Sequence, residues 1–278
     1  MSRFASERIH LSVENDRIAL VKISGRLHPR IEAEDTLAIP TEPNTPEIGL
    51  EALGRLLAGK PWQRADVHVV LSDLLVRYFV VDITPGLQNL NELQQLVAAR
   101  FEDTYGLVAE DWEINADLNP LTSRLLACAI DRRLITGLRQ IIGKPDYRLV
   151  SVQPFLVREF NHWRRQIGKT TTWFAAVERN SLSLALIDRG NLQTLRTHQG
   201  IDNLYATLPQ LMARDQMLFG TSESALHLSV AGIGVSPSPN EIPHQRNSAI
   251  ISLGMELWPG RTKNWSQNYR LALSGVWQ

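Results

Sequence analysis

Val13-Glu14-Asn15-Asp16-Arg17-Ile18-Ala19-Leu20 and, 164 positions later, Val177-Glu178-Arg179-Asn180-Ser181-Leu182-Ser183-Leu184 follow one plan. In each, an apolar strand reaches Val-Glu, turns through polar residues and returns as an alternating apolar strand. This is read as the mark of an internal duplication, against the plainer alternative that two hairpins share turn chemistry.

Working outward from the first hairpin, Ile9, Leu11 and Val13 alternate with polar residues, and Ile18 to Ile23 forms the returning strand. A third strand is expected around Arg30 to Ala38. Three prolines between Ile39 and Pro46 make a loop. Ile48, Leu53, Leu56 and Leu57 mark one face of a short helix. Strands at Asp66 to Leu71 and Tyr78 to Ile83 come next, then a helix from about Asn89 to Tyr105 on the spacing of Leu90, Leu93, Val97 and Phe101. A strand covers Asp111 to Ala116. The unbroken apolar run Leu125 to Ile130 predicts a strand covered on both faces. A helix over Arg132 to Ile142 and a strand over Arg148 to Val152 follow. Leu156, Phe160, Trp163 and Ile167 step at helical spacing toward Gly168.

The second half opens as a meander: Trp173 to Val177, Leu182 to Ile187, and a strand ending at Arg196. A helix from Asn203 to Met217, a strand over Ala225 to Val230 and an exposed loop over Ser236 to Ser248 come next. Two late strands, near Ile250 to Gly254 and Tyr269 to Gly275, close the chain. This mixed order argues α/β.

At 278 residues and 44% hydrophobic, the chain is long enough for two domains with real cores. Twenty-nine basic residues balance 29 acidic ones, which removes any bulk electrostatic reason for nucleic acid or an anionic bilayer as the main partner. Cys128 is the only cysteine, so no internal disulfide forms, and its apolar setting predicts a core thiol. No two histidines lie three or four apart, so no helical metal pair is visible. The N-terminus lacks a signal-peptide core, and nowhere do about 18 apolar residues run together, so a cytoplasmic protein is expected.

Ile167-Gly168-Lys169-Thr170-Thr171-Thr172 imitates the end of a P-loop. Five residues before Gly168, where that loop needs its first glycine, stands Trp163. The segment is read instead as the junction between the halves.

A duplicated α/β chain in which each half opens with a β-hairpin resembles the actin-like ATPases. The segments VHVVLSDLLVRYFVVDI, LNELQQLVAARFEDTYG, DWEI, RLLACAIDRRLITGLRQII and YRLVSVQPFLVREFNHW follow an order similar to one branch, the PilM-like proteins of type IV pilus assembly with MshI and the cytoplasmic domain of the type II secretion protein GspL. The resemblance implies a duplicated actin-like (ribonuclease H-like) fold: a first half at 1–167 with an inserted subdomain at about 64–147, and a second half at 168–278. It also implies a cytoplasmic scaffold at the inner membrane that binds the cytoplasmic segment of a PilN-like partner, and it leaves room for a homo-oligomer.

In that fold, ATP with Mg²⁺ lies between two phosphate hairpins and a Gly-Gly adenosine motif. Glycines let backbone N–H groups reach phosphate oxygens, and aspartates organise the metal. Here the hairpins offer Glu14, Asn15 and Asp16, and Glu178, Arg179 and Asn180, with no glycine in either. Alanine stands first in Ala231-Gly232. These eight residues are the vestigial nucleotide site, and the expectation is no cofactor, no catalytic residue and no ATPase activity. The rival reading is an active ATP-binding actin-like ATPase, with Arg17 or Arg179 supplying positive charge.

Three other features have plain readings. Arg158, Arg164, Arg165 and Lys169 suit a solvated helix C-terminus. Ser72-Asp73 with His68 suggests a catalytic triad, yet His68 alternates with Val67, Val69 and Val70 and no oxyanion hole is nominated. Trp258, Trp265 and Trp277 beside basic residues suit either core packing or a protein contact.

Overall fold

The structure is a computed structural model, and it describes residues 7–25, 30–40, 45–58, 65–83, 89–116, 124–143, 147–165, 167, 171–179, 181–188, 191–200, 204–219, 225–230, 250–253 and 269–274. In chain order the elements are β1 (Arg8–Val13), β2 (Arg17–Ser24), β3 (Arg30–Ala38), α1 (Pro46–Leu57), β4 (Ala65–Leu71), β5 (Val76–Asp82), α2 (Leu90–Tyr105), β6 (Trp112–Ala116), β7 (Arg124–Asp131), α3 (Arg132–Ile142), β8 (Tyr147–Pro154) and α4 (Phe155–Trp163). Then come β9 (Thr172–Val177), β10 (Ser181–Asp188), β11 (Asn191–Gln199), α5 (Leu204–Phe219), β12 (Ala225–Val230), β13 (Ile250–Leu253) and α6 (Arg270–Leu273).

The strands form two five-stranded sheets of identical order, β3-β2-β1-β4-β8 and β11-β10-β9-β12-β13, and one three-stranded sheet, β5-β7-β6. In both large sheets the first three strands are antiparallel and the last two parallel. The 164-residue offset read in the sequence recurs in the register. Val13 faces Ile18 as Val177 faces Leu182, and the Glu14 amide donates to the Arg17 carbonyl as the Glu178 amide donates to that of Ser181, each at 2.9 Å. The irregularity between β2 and β3 falls at Lys22/Ile23, and that between β10 and β11 at Leu186/Ile187.

Period-two patterning gives each sheet two buried faces. Ile9, Leu11 and Val13 on β1 share a core with Leu53 and Leu56 of α1, Leu134 and Leu138 of α3, and Phe174 and Ala176 of β9. The two large sheets therefore meet through one apolar cluster. On the opposite face of β9, Trp173, Ala175 and Val177 pack with Leu208 and Met212 of α5.

The small sheet has its own core, where α2 sets Val97 and Phe101 against Phe79, Leu125 and Ala127. Helix α2 is bounded by Asn89, whose side chain accepts from the Glu92 amide at 2.9 Å, and by Gly106 in the left-handed region at φ 66°. The other face of β7, carrying Leu126, Cys128 and Ile130, joins the main core, and β5 and β7 pack against β11. The apolar run is therefore covered on both faces, as expected.

The three-stranded sheet spans Val76 to Asp131, while β4 and β8 are strands of the first large sheet. Three readings need correction. The helix read as reaching Gly168 ends at Trp163, and Ile167 closes a turn by donating to the Trp163 carbonyl at 3.1 Å. Tyr269 to Gly275 is not a strand: Arg270–Leu273 form the short helix α6. A helical turn buries Tyr269, Ala272 and Leu273 against Ala19, Val21 and Ile23 while Leu271 enters the main core, which strand alternation could not do. The third concerns Arg158 and is taken up with the site.

Candidate functional site

The turns after β1 and β9 bring the two hairpins face to face. Arg179 Nη1 lies 3.4 Å from Asp16 Oδ2, and Asp16 is also 3.6 Å from Arg17. Cations and anion of the opposing turns are thus paired with one another across the place where the hairpins meet.

Glu14 is half-buried, with the Ser12 hydroxyl 3.4 Å from Oε1. Burial raises its pKa to about 7, against the pull of Arg17 and with a smaller push from Asp16. Glu178 is buried, and both its carboxyl oxygens engage the turn that follows β4. Its Oε2 bonds the Ser72 hydroxyl, and its Oε1 accepts from the Asp73 backbone N–H at 2.6 Å. Desolvation, then the charge of Asp73, hold the Glu178 carboxyl well above the usual range.

Asp73 completes the constellation. It sits in a 3-10 turn after β4, where Ser72 Oγ accepts from the Leu74 amide at 3.2 Å. Its Oδ1 accepts from Tyr78 Oη of the three-stranded sheet at 2.5 Å and from the Leu156 amide at the start of α4 at 3.0 Å. Burial raises its pKa to about 6.

Most polar groups of this arrangement pair with one another, while Asp73 Oδ2 is buried and accepts no hydrogen bond among the described residues. The first amide of each turn is spent on the hairpin's own carbonyl, and no glycine opens the turns described. Among the described residues no group of three or more His, Cys, Asp or Glu side chains could hold a metal ion. Glu14, Asn15, Asp16, Glu178 and Arg179 are brought together around the turns. Asn180, Ala231 and Gly232 lie outside the described residues, as do Gly168, Lys169 and the tryptophans at 258, 265 and 277.

His68 does not join Ser72 and Asp73. Its Nδ1 is 3.0 Å from Ser151 Oγ, and its ring stacks on His10 at 5.3 Å. Sequence spacing missed that pair, since β1 and β4 are joined only by the parallel register that sets His10 beside His68. Arg158 corrects the reading of a solvated cation cluster: it is buried, donates from Nε to the Ser274 carbonyl, and is lowered to about 10 by desolvation. Arg164 and Arg165 are exposed, as read. Ser72, Asp73 and Tyr78 were missed as a unit. Their sequence signal is a Ser-Asp pair directly after an apolar strand, which marks a turn and says nothing of what it faces.

No protein-family model matches the sequence, and none of the curated proteins is similar enough in sequence to match it. Solved structures do match in fold. A chain of the PilM–PilN type IV pilus biogenesis complex is 13% identical with a TM-score of 0.60, covering 97% of both chains. The cytoplasmic domain of EpsL, an inner-membrane component of the type II secretion system of Vibrio cholerae, is 12% identical with a TM-score of 0.56, covering 98% of this chain and 94% of that one. A Bacteroides thetaiotaomicron protein with an actin-like ATPase fold and unknown function is 11% identical with a TM-score of 0.56, covering 90% and 94%. This chain has the actin-like fold. No helix among the described residues is long and apolar enough to cross a membrane.

Proposed function

We propose that this protein is an actin-like scaffold of a type IV pilus or type II secretion-like assembly platform. It works from the cytoplasm at the inner membrane and captures the cytoplasmic segment of a PilN-like membrane protein. Its halves are 1–167 and 168–278, duplicates of one another, and the small sheet is an insert in the first. The reading draws support from likeness to the PilM–PilN chain over nearly its whole length, and from the matching register of the two hairpins.

Glu14, Asn15, Asp16, Glu178, Arg179, Asn180, Ala231 and Gly232 are the remains of a nucleotide site. The observation that carries this is the engagement of the site's own charges. Glu178 is bonded to Ser72 and Asp73, and Arg179 to Asp16. A nucleotide with Mg²⁺ would have to displace those contacts in turns that lack a glycine cradle. ATPase activity is not expected.

The test is binding of a synthetic peptide carrying the cytoplasmic N-terminal segment of a PilN-like protein from the same genome. Saturable binding to the purified chain is the expected result. Failure to bind that peptide, together with co-purification that never recovers a single-span inner-membrane protein, would remove the scaffold from this machinery.

A further inference from the structure

We infer that Glu178, Ser72 and the Asp73 backbone form an internal clasp that holds the two halves of the chain closed with no ligand bound. The inference rests on reading the hairpins as a vestigial nucleotide site and names how that site is regulated.

Three units converge on the clasp. Glu178 comes from the β9–β10 turn, Ser72 and Asp73 from the end of β4, and Tyr78 from the inserted sheet. Asp73 is in turn anchored to the first amide of α4. In a cleft closed by a nucleotide, terminal phosphate oxygens accept hydrogen bonds from both sides. Here a carboxylate of the second half accepts from a hydroxyl and an amide of the first, so an acidic side chain of the protein does that work itself. Arg124 Nη1 adds a second link, 3.3 Å from the Gln193 carbonyl of β11, on the far side of the insert.

The clasp also carries a built-in response to protons. Glu178 faces Asp73 on the 3-10 turn, Glu14 on the first hairpin and the Tyr78 phenol, while Asp73 faces Glu159 of α4 and the Cys128 thiol of β7. The described cations nearby, Arg17 and Arg179, act on Glu14 and are paired with Asp16. A neutral Glu178 keeps its bond by donating to Ser72 Oγ. An ionised one adds a second buried negative charge beside Asp73. Closure is therefore tightest in mild acid and loosens as pH rises.

The experiment measures the distance between spin labels on cysteines replacing Val108, 58% exposed on the insert, and Met217, 86% exposed on α5. Cys128 stays in place, because its thiol is raised to about 11 by burial and does not label at neutral pH. Without ligand the otherwise wild-type chain should give one narrow distribution at pH 6. Glu178→Ala should raise the longer-distance population by roughly tenfold or more, as expected for losing two buried hydrogen bonds. Ser72→Ala, which removes the hydroxyl that also accepts from the Leu74 amide, should do so to a lesser degree, with far-UV circular dichroism checking that the variant is folded. Glu178→Gln keeps an acceptor for the Asp73 amide and should stay closed as pH is raised, whereas the wild-type distribution should broaden in that direction. Wild-type distributions in both Glu178→Ala and Ser72→Ala, or equal pH responses in wild type and Glu178→Gln, would overturn the clasp. Mg-ATP is added to each sample as a separate arm. A wild-type chain that binds it, yet is already closed without it and opens in Glu178→Ala, would sink the vestigial-site reading and leave the clasp standing.

Discussion

The Asp73 backbone N–H donates to Glu178 Oε1 at 2.6 Å, joining residues 105 apart in sequence, one after β4 of the first large sheet and one after β9 of the second. Both groups are buried, so each bond around them is made where water offers no replacement. Tyr78 Oη supports the same unit by donating to Asp73 Oδ1 at 2.5 Å. Tyr78→Phe removes that donor and keeps the ring, and should lower unfolding free energy by about 1–2 kcal/mol in urea titration. It should also speed exchange of the Leu156 amide, which shares the same oxygen.

Glu14 gives the protein a pH-dependent stability that can be assigned to one residue. Its folded pKa of about 7 lies above its unfolded value, so the folded state holds the proton more tightly. The contribution is fully present below about pH 4 and is lost as pH rises toward 7. Melting temperature measured from pH 4.5 to 7.5 should fall less for Glu14→Gln than for wild type, with the two differences converging to a constant above pH 7.

The hairpins, the helix over α2 and the doubly covered strand β7 were legible in the sequence because period and turn chemistry are local. The clasp was not. Glu178 stood out by its place in the repeat, yet nothing near it names Ser72 or Asp73, which only the meeting of β1, β4 and β9 brings to it. Arg158 failed for a similar reason: a helix pattern shows which face is polar but not that the chain's last helix will cover it. The C-terminal strand expected at Tyr269 was overridden by packing, since consecutive buried residues need a helical turn to reach two cores.

His10 is buried, and neither ring nitrogen has a hydrogen-bond partner among the described residues. Desolvation first, then Arg158, His68 and Arg8, hold its pKa well below the usual value. Stability is lost as pH falls below about 6.5, because the unfolded chain takes the proton first. His10→Leu should therefore be neutral or stabilising at pH 8, where an unmade bond is removed, and more clearly stabilising at pH 5. Chemical denaturation at the two pH values checks this.

The three-stranded sheet depends on one aromatic cluster. Phe101 is fully buried, with Phe79, Tyr105 and Trp112 ring centroids at 5.7, 5.3 and 5.4 Å. Phe101→Ala should cost about 3–5 kcal/mol. Its hydrogen-exchange signature should be loss of protection in β5, β6 and β7 ahead of β9 and β10, since the second half has its own core.

Calorimetric titration of the full chain with Mg-ATP tests the central claim most directly, that the protein's own side chains have taken over the nucleotide site. No saturable heat at micromolar to millimolar nucleotide is the predicted result, in wild type and in Glu14→Ala/Glu178→Ala alike. Micromolar binding by wild type that disappears in the double variant would contradict the account.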